Sequence, residues 1–423
     1  MPIISPTAIS PHRIGKSGIN WSSYWATRKP SDLIVTGMRD TEIDFSWTDN
    51  SAGDCTFKIY KSTDGVTYAA DGTTVTGDTT YTATGLTAGT LYYFYVVGVK
   101  SGNESDPTNI YDTRFKITVD TTKAGSAADT FVLPNYTSGT YDYYVDWGEG
   151  GAEEHITTAG NHSHTYAASG TYKIMIRGTM PQIYFISGED KAKLIFIDNW
   201  GNIKWDSFQN AFYGCINMNG RWVDCPNLTG VTILRSMFFN CPIFNYSLYN
   251  FITSSIKHFE TMFRLCTSFK QSLASFLIAS AITLNDILHQ ANINETGTTT
   301  NYDETLISWA AQNPPNSLSF NGGYSKYGEG LVDSGTTDGV AANKLIQSGQ
   351  NFLTTVTVGD VVYNTTDGTY ALVTAIDSDT QLSISADIMA SGEVYRIQHS
   401  DAAKARAKLI LTDLWTITDG GYL

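Results

Sequence analysis

The hydrophobic positions between Phe208 and Ala291 follow one spacing that is written four times along the chain. Each set has apolar residues at i, i+3, i+4 and i+7, the spacing of one stripe on an α-helix. The sets are Phe208, Ala211, Phe212 and Cys215; Leu234, Met237, Phe238 and Cys241; Phe259, Met262, Phe263 and Cys266; and Leu284, Ile287, Leu288 and Ala291. They recur about every 25 residues. The pattern predicts a repeat whose unit carries one short helix and one extended segment.

A unit of about 25 residues cannot enclose a core alone, so the units are expected to stack. The sequence therefore predicts a leucine-rich-repeat-like solenoid over residues 181–329, completed by residues 399–423. A helical bundle with coincidental spacing is the alternative. It leaves unexplained why the second and third copies stay in step through Phe244 and Phe269 in the other half of the unit.

Residues 31–113 alternate between apolar and polar in short runs separated by turn residues, which predicts a β-sandwich. The predicted strands are Leu33–Val35, Ile43–Trp47, Thr56–Tyr60 and Tyr92–Val99. With Trp47 and Tyr60 in its second and third strands, and the turn from Leu86 to Tyr92, this segment resembles a fibronectin type III domain. The resemblance implies a spacer and adhesion module. The family's RGD tripeptide does not occur in this segment.

Residues 114–180 predict a second β-sandwich, with strands such as Tyr141–Val145 and Tyr172–Ile176. The runs Asp146–Gly150, His164–Tyr166 and Gly170–Tyr172 resemble the signature of polycystic-kidney-disease-type (PKD) immunoglobulin-like domains. Glu149 stands where that family has a second Asp, so a Ca²⁺ site on Asp146 and Glu149 is left undecided. The alternative is a structural turn in which Asp146 bonds backbone amides. We expect His164, and with it His162, to be structural rather than catalytic or metal-binding.

Apolar runs around Ile183 and Ile197 lead into the repeats without a linker, which favours one rigid unit. The repeats carry Met-Phe-x-x-Cys-x-x-Phe and follow an immunoglobulin-like module. In both respects they resemble the BspA-like leucine-rich surface proteins of Bacteroidota and mycoplasmas. Phe251 and Phe276 stand where that family often has Trp, and the fourth copy departs from the pattern after Ala291.

Residues 330–398 are rich in Gly, Thr and Asp and interrupt the helical pattern. They predict a small β-barrel module, similar to short β modules of phage structural proteins, with strands Thr354–Val358, Asp360–Tyr363, Ala371–Ile376, Gln381–Ser385 and Val394–Ile397. A helix and a strand are predicted before this segment, at Glu304–Ala311 and Ser317–Phe320. A second helix and strand are predicted after it, at Ala402–Leu411 and Trp415–Gly421. The simplest interpretation is an insertion into the last repeat.

Residues 1–30 form an N-terminal arm with no periodicity and with three large aromatic residues, Trp21, Tyr24 and Trp25. Trp and Tyr dominate interface hot spots, so this arm is a candidate anchor to a larger particle. Packing of the same residues back onto the next domain is the open alternative.

The net charge of −14, with only 27 Lys and Arg in 423 residues, argues against a nucleic-acid partner. No segment has the length of a membrane span, and no secretion signal is visible in the sequence as given. The five Cys lack the paired spacing of a zinc site and indicate no disulfide framework. We expect those of the repeats to be reduced and buried, with a Cys215–Cys225 pair as the alternative. We expect no metal and no cofactor.

No nucleophile elbow, zinc-protease motif, phosphate-binding loop or dinucleotide fingerprint occurs. Paired carboxylates of a glycosidase could still meet in the fold, but we expect no enzyme activity. The fold class is thus multidomain and mainly β with an α/β part.

The leading functional hypothesis is a virion structural and adhesion protein of a phage that infects Bacteroidota, in a head-decoration or tail-fibre position. Its partners would be other virion proteins, bound through the arm, and a host surface protein or glycan. A bacterial cell-surface adhesin of the BspA-like type is the alternative. The oligomeric state is left open, including a homo-oligomer.

Overall fold

The computed structural model describes residues 21–423, with Trp21 described by its backbone alone. The described chain forms two compact units. The first comprises 21–232 and Asn250–Ser255, and the second comprises Ile233–Tyr249 and Ile256–Leu423. Three of the four predicted repeat copies lie in the second unit.

The first unit begins with a five-residue helix, α1 (Trp21–Trp25), and a β-sandwich. Its strands are β1 (Ser31–Met38), β2 (Ile43–Thr48), β3 (Thr56–Ser62), β4 (Ala69–Thr73), β5 (Thr80–Ala83), β6 (Tyr93–Lys100), β7 (Asn103–Glu104) and β8 (Tyr111–Asp112). One sheet has the order β1-β2-β5, and the other has the order β4-β3-β6-β7 with β8 on β6. Alternate residues are buried, as predicted for strands with one core face. Rings from the two sheets meet in the core, with Phe45 and Phe94 at 4.8 Å.

The turn from Leu86 to Tyr92 forms a tyrosine corner. The Tyr92 hydroxyl accepts a hydrogen bond from the Thr87 backbone N–H at 3.2 Å, and the ring is buried. A hydroxyl that bonds the backbone a few residues upstream is the defining contact of this motif. The local turn predicted from the sequence is therefore present.

A second sandwich follows, and its larger sheet extends into the repeat region. Its strands are β9 (Phe115–Asp120), β10 (Thr130–Leu133), β11 (Asp142–Asp146), β12 (Glu154–Ile156), β13 (His162–Thr165), β14 (Thr171–Thr179), β15 (Leu194–Asn199) and β16 (Asn219–Gly220). The large sheet has the order β12-β11-β14-β9-β15-β16, and β10 pairs with β13. A 3₁₀ turn at Phe185–Ser187 precedes β15. Because β15 pairs with β9, the run after the sandwich is part of its sheet.

The four apolar quartets are tandem turns, so the predicted short helices are absent from the described repeats. Two positions of every copy have φ between 53° and 75°, where a right-handed helix is impossible. The first position is occupied by Asn210, Ser236, Thr261 and Asp286, and the second by Gly214, Asn240, Leu265 and Gln290. Hydrogen bonds from residue i+3 to residue i, such as Met237 N–H to the Leu234 carbonyl, close the turns.

In the second unit, backbone hydrogen bonds join equivalent positions of successive copies. The N–H groups of Ser236, Phe238 and Asn240 donate to the carbonyls of Glu260, Met262 and Arg264. The next pair of copies repeats this pattern from Thr261, Phe263 and Leu265 to Asn285, Ile287 and His289. In a helix these N–H groups would donate to carbonyls four residues earlier in the same helix. In the repeats they donate to carbonyls of the next copy instead. The repeat is thus held together between copies rather than within one.

The side chains beneath this ladder form a stack of four parallel rings. Phe238 and Phe244 lie 4.4 Å apart, Phe263 and Phe269 lie 4.3 Å apart, and Phe244 and Phe269 connect the two pairs at 5.7 Å. All four rings are fully buried. The constant interval between equivalent Phe residues of the second and third copies therefore stacks their rings on each other in the core.

The rest of the second unit contains three helices and eight strands. They are α2 (Thr300–Ala311), β17 (Ser319–Asn321), β18 (Leu331–Thr336), β19 (Lys344–Ile346), α3 (Phe352–Thr355), β20 (Val361–Asn364), β21 (Thr369–Ser378), β22 (Gln381–Ile384), β23 (Val394–Gln398), α4 (Asp401–Leu411) and β24 (Thr416–Thr418). The strand predicted at Thr354–Val358 is wrong, because α3 occupies its first part, and β18 and β19 had no prediction. The other elements predicted here are present.

Residues 330–398 form a curled, half-barrel sheet with the order β18-β23-β20-β21-β22-β19. Its buried cluster is drawn entirely from this segment and includes Leu345, Phe352, Val362, Leu382 and Tyr395. The two ends of the segment meet, since His399 N–H donates to the Gly330 carbonyl at 3.0 Å. Beyond those ends, β17 and β24 pair in parallel.

Candidate binding groove between the two sandwiches

The two sandwiches of the first unit are locked onto each other and onto the first repeat by buried polar contacts. The Asp224 carboxylate accepts hydrogen bonds from the Tyr111 hydroxyl at 2.9 Å and from the N–H groups of Trp200 and Gly201. Burial raises the pKa of Asp224 to about 6, although these three donors favour the carboxylate. Gly89 N–H adds a 2.6 Å bond to the Asn202 carbonyl. The junction is therefore rigid enough to shape a surface groove.

A groove of about 590 Å³ opens between the two sandwiches. Its polar and aromatic lining includes Asp64, Tyr93, Asp142, Tyr144, Glu153 and Arg177. A volume of this size lies within the range of small-molecule sites in proteins, about 300–1,000 Å³. The groove is the candidate functional site of the described chain.

Tyr144 and Arg177 line one wall of the groove and belong to a row of side chains from three adjacent strands. Tyr144 on β11 stacks on His155 of β12 with the ring centroids 4.3 Å apart, and the Arg177 guanidinium of β14 lies 4.0 Å from the centroid of the Tyr144 ring. In the sheet register, both neighbours are directly opposite Tyr144. The row is therefore set by strand pairing.

Carboxylates hold both ends of this row. Glu153 accepts from Arg177 Nε at 2.9 Å and from Nη2 at 2.6 Å, and Asp142 contacts His155 Nε2 at 2.7 Å. Charge-assisted bonds of this kind fix the direction of a guanidinium. The donors and acceptors of the wall are thus held in place before any ligand arrives.

Two glycines, Gly89 and Gly178, line the groove where its two walls approach each other closely. A Cβ on Gly89 would lie 2.8 Å from the carbonyl oxygen of Gly178. A Cβ on Gly178 would lie 2.5 Å from the backbone carbonyl oxygen of Asp142. Gly178 has φ of 116°, a region nearly closed to other residues. A side chain at Gly89 would push against the second sandwich, and one at Gly178 would clash with the adjacent strand β11 of its own sheet.

The opposite wall comes from the first sandwich. Tyr93 is half-buried, and Gly65 lies against its ring, where an added Cβ would come within 3.1 Å. Asp64 accepts from the N–H groups of Thr67 and Val66, and these bonds, led by the Thr67 amide, hold the pKa of its carboxyl below the usual range. Asp64 is therefore charged and immobilised beside the groove.

The aromatic residues of the predicted arm lie away from this groove. Trp25 is buried against Gly98, where an added Cβ would meet the ring at 2.9 Å, and the Tyr24 hydroxyl donates to Asp54 at 2.8 Å. Residues 1–20 of the arm and the side chain of Trp21 lie outside the described residues. Packing onto the first sandwich thus occupies Trp25, and the role of the arm as an anchor stays a prediction.

The three motif runs of the second sandwich meet in one aromatic stack. Trp147 stacks on His164 at 4.9 Å, His164 contacts Tyr166 at 4.6 Å, and Tyr166 stacks on Tyr172 at 3.6 Å. His164 Nε2 also bonds Glu149 at 2.9 Å, which lowers the pKa of that carboxyl. His164 therefore has a structural position, as expected.

The Asp146 side chain accepts from the Gly148 N–H at 2.8 Å, which is the local turn contact considered as the alternative to a Ca²⁺ site. Within residues 21–423, no group of three or more His, Cys, Asp or Glu side chains is placed to hold a metal ion. The five Cys are all buried, and no disulfide joins any two of them.

None of the groove residues was singled out from the sequence. Tyr144 and Arg177 lie on strands that are far apart in the chain, and only the alternation around Tyr141–Val145 shows that Tyr144 leaves the core face. Their proximity depends on strand order, which the sequence pattern does not specify.

Family comparisons decide the class of the first sandwich. The family model described as fibronectin type III domain matches residues 28–114. The first sandwich is a fibronectin type III domain. A second model, described as Mycoplasma protein of unknown function, DUF285, matches residues 186–313, the region that contains the four repeat copies.

Similar solved structures cover only parts of the chain. An Fn3-like protein from Clostridium thermocellum is 27% identical, with 21% of this chain and 91% of that chain covered at a TM-score of 0.19. A two-domain fibronectin type III segment from chicken tenascin is 17% identical, with 35% and 89% covered at a TM-score of 0.19. The chain spans 30% of the titin structure that it matches. No curated protein matches it.

None of the helices in the described part of the chain has the length and apolar character that crossing a membrane requires.

Proposed function

We propose that this chain is a non-enzymatic structural and binding protein of a virion, from a phage that infects Bacteroidota. In this proposal the second sandwich is a PKD-type immunoglobulin-like domain, and the repeats are a BspA-like leucine-rich solenoid with residues 330–398 inserted in its last turn. The observation that supports a binding role is the groove between the sandwiches, whose walls are already ordered. Preorganised sites bind with a smaller loss of conformational entropy.

Attachment to the particle is assigned to the N-terminal arm. Because Trp25 is packed on the first sandwich, the part of the arm that reaches a virion partner is residues 1–20 with Trp21, and Tyr24 flanks it. A protein lacking residues 1–20 should fold and remain soluble but should not be incorporated into particles. Incorporation at the normal copy number would place the anchor elsewhere.

Immunogold labelling of purified phage particles and of bacterial cells, with an antibody against this chain, tests the proposal. Gold on the head or the tail of intact particles is the expected result, and its position separates head decoration from a tail fibre. Gold on the bacterial envelope with bare particles would overturn the virion assignment in favour of a cell-surface adhesin.

A further inference from the structure

We infer that the groove between the sandwiches binds a saccharide made of uncharged or amino sugars. This inference rests on the proposed binding function and names its ligand class. The groove combines a half-buried tyrosine, Tyr93, with a wall that carries both hydrogen-bond donors and acceptors.

The chemistry of a sugar ring fits that combination. A pyranose has an apolar C–H face and a rim of hydroxyl groups, and each hydroxyl both donates and accepts hydrogen bonds. In the groove, Asp142 and Glu153 offer acceptors, while Arg177 offers guanidinium donors. Tyr93 lines the groove as a half-buried aromatic side chain, with Gly65 packed against its ring. Tyrosine is suited to such a role because it is apolar with a polar tip.

Charge restricts the kind of saccharide. The lining has three carboxylates, Asp64, Asp142 and Glu153, against one guanidinium, Arg177. The chain as a whole has a net charge of −14. A uronic acid, a sialic acid or a phosphorylated sugar would meet like charges in the groove and around it, which disfavours binding. A neutral sugar meets no such repulsion. The ammonium group of an amino sugar would be attracted to the carboxylates, which outnumber the single guanidinium of the lining.

The wall is also preorganised for hydrogen bonding. Arg177 is held by Glu153 and by the face of the Tyr144 ring, and Asp142 contacts His155, which stacks on the same ring. A ligand that replaces water here does not have to order these side chains first. Asp142 remains two-thirds exposed, with 66% of its side chain accessible, so its free oxygen can accept from a sugar hydroxyl.

Calorimetric titration of the full chain with three hexasaccharide probes tests this inference: N-acetylglucosamine (neutral), glucosamine (cationic) and galacturonic acid (anionic) hexamers. We expect binding of the first two and at least about tenfold weaker binding of the third. Asp142→Asn and Tyr93→Ala should each weaken the binding by about tenfold or more. Asp106→Asn, an exposed carboxylate outside the groove, and Tyr136→Ala, an exposed tyrosine, should leave it unchanged.

Three outcomes would overturn the inference. Binding that survives both groove variants would place the saccharide elsewhere. Equal binding of a hexalysine peptide, abolished by salt, would make the groove a site for cations and not for sugars. Failure of all three probes, with particles still labelled by the antibody, would reject the saccharide while the virion assignment stands. Asp142→Asn changes an exposed side chain, so loss of folding will not obscure the result.

Discussion

Asp224 is a buried carboxylate at the centre of a domain junction, and it makes stability depend on pH. Its side chain accepts from Tyr111, Trp200 and Gly201. Burial raises its pKa to about 6 from the ordinary value of 3.8. Between about pH 4 and pH 6, the folded state therefore holds a proton that the unfolded state has lost. Folding is favoured at the lower end of this range and loses that contribution as the pH rises.

We predict that the Asp224 contribution to the free energy of unfolding falls by about 3 kcal/mol as the pH rises from about 4 to above 6. Denaturant unfolding followed by tryptophan fluorescence, for the wild type and for Asp224→Asn, isolates this slope by subtraction. The exposed Asp206→Asn serves as the control and should keep the wild-type slope. A difference between Asp224→Asn and wild type that is constant with pH would show that Asp224 does not titrate in this range.

The cysteines are a second residue-scale feature with a measurable consequence. Burial raises the pKa of Cys266 to about 12 and raises that of Cys215 well above its usual range. The thiolate is the reactive form, so a thiol in this state reacts only when the chain opens. We predict that iodoacetamide at about pH 8 labels none of the five cysteines of the native protein within the time that labels all of them in denaturant. Rapid native labelling of Cys266 would contradict its burial.

At the scale of the element, the repeat is built from turns that use left-handed residues. Leu265 has φ of 66°, and the equivalent residue of the first copy is Gly214 with φ of 75°. A left-handed conformation costs a residue with a Cβ about 1–2 kcal/mol, which glycine avoids. The effect of a glycine therefore distinguishes a tandem turn from a helix.

We predict that Leu265→Gly leaves the free energy of unfolding unchanged or raises it by up to about 1 kcal/mol, after allowing for the partial exposure of the leucine. Ile307→Gly, in the true helix α2 where Ile307 is 41% exposed, should lower it by about 0.5–1 kcal/mol. Chemical denaturation of both variants gives the comparison. A loss at Leu265 as large as the loss at Ile307 would argue for helical repeats.

At the scale of the whole molecule, the segment 330–398 contacts the rest of the second unit through several side chains, including the Arg396–Glu329 ion pair and Arg406. Arg406 on α4 bonds Asp419 at 2.9 Å and the Tyr370 hydroxyl at 2.8 Å, and it lies 5.0 Å from the Tyr327 ring. Only Tyr370 of these partners belongs to the segment. Most of the contacts of Arg406 would therefore survive removal of the segment.

We predict that replacing residues 330–398, which include α3, with a short Gly-Ser linker preserves α2, α4 and the repeats. The reason is that Glu329 and His399 are already joined by a backbone hydrogen bond of 3.2 Å, so the linker closes a short gap. The free energy of unfolding should fall, because the Tyr370–Arg406 contact and the Arg396–Glu329 ion pair are lost at about 1–3 kcal/mol each. Tyr370→Phe in the full chain should reproduce part of that loss. Disappearance of the helical circular dichroism signal on mild heating would show that the segment belongs to the core.

Strand alternation and the tyrosine corner could be predicted from the sequence because each depends on local spacing. A strand places alternate residues on one face whatever its neighbours are. The apolar positions of β2, β3 and β6 therefore indicate which face of each strand is buried in the core. The apolar ladder was likewise visible, since equivalent rings recur at a constant interval.

Tertiary structure alone decided two features. Helices and tandem turns share the i, i+3, i+4, i+7 spacing, and the choice depended on N–H groups that bond a neighbouring copy about 25 residues away. The groove depended on strand order, which brings His155, Tyr144 and Arg177 into one row and seats Gly89 against Gly178. The sequence by itself determined which side chains are buried within each strand. Which exposed side chains become neighbours was decided by long-range hydrogen bonding, because such bonds join residues that no local periodicity relates.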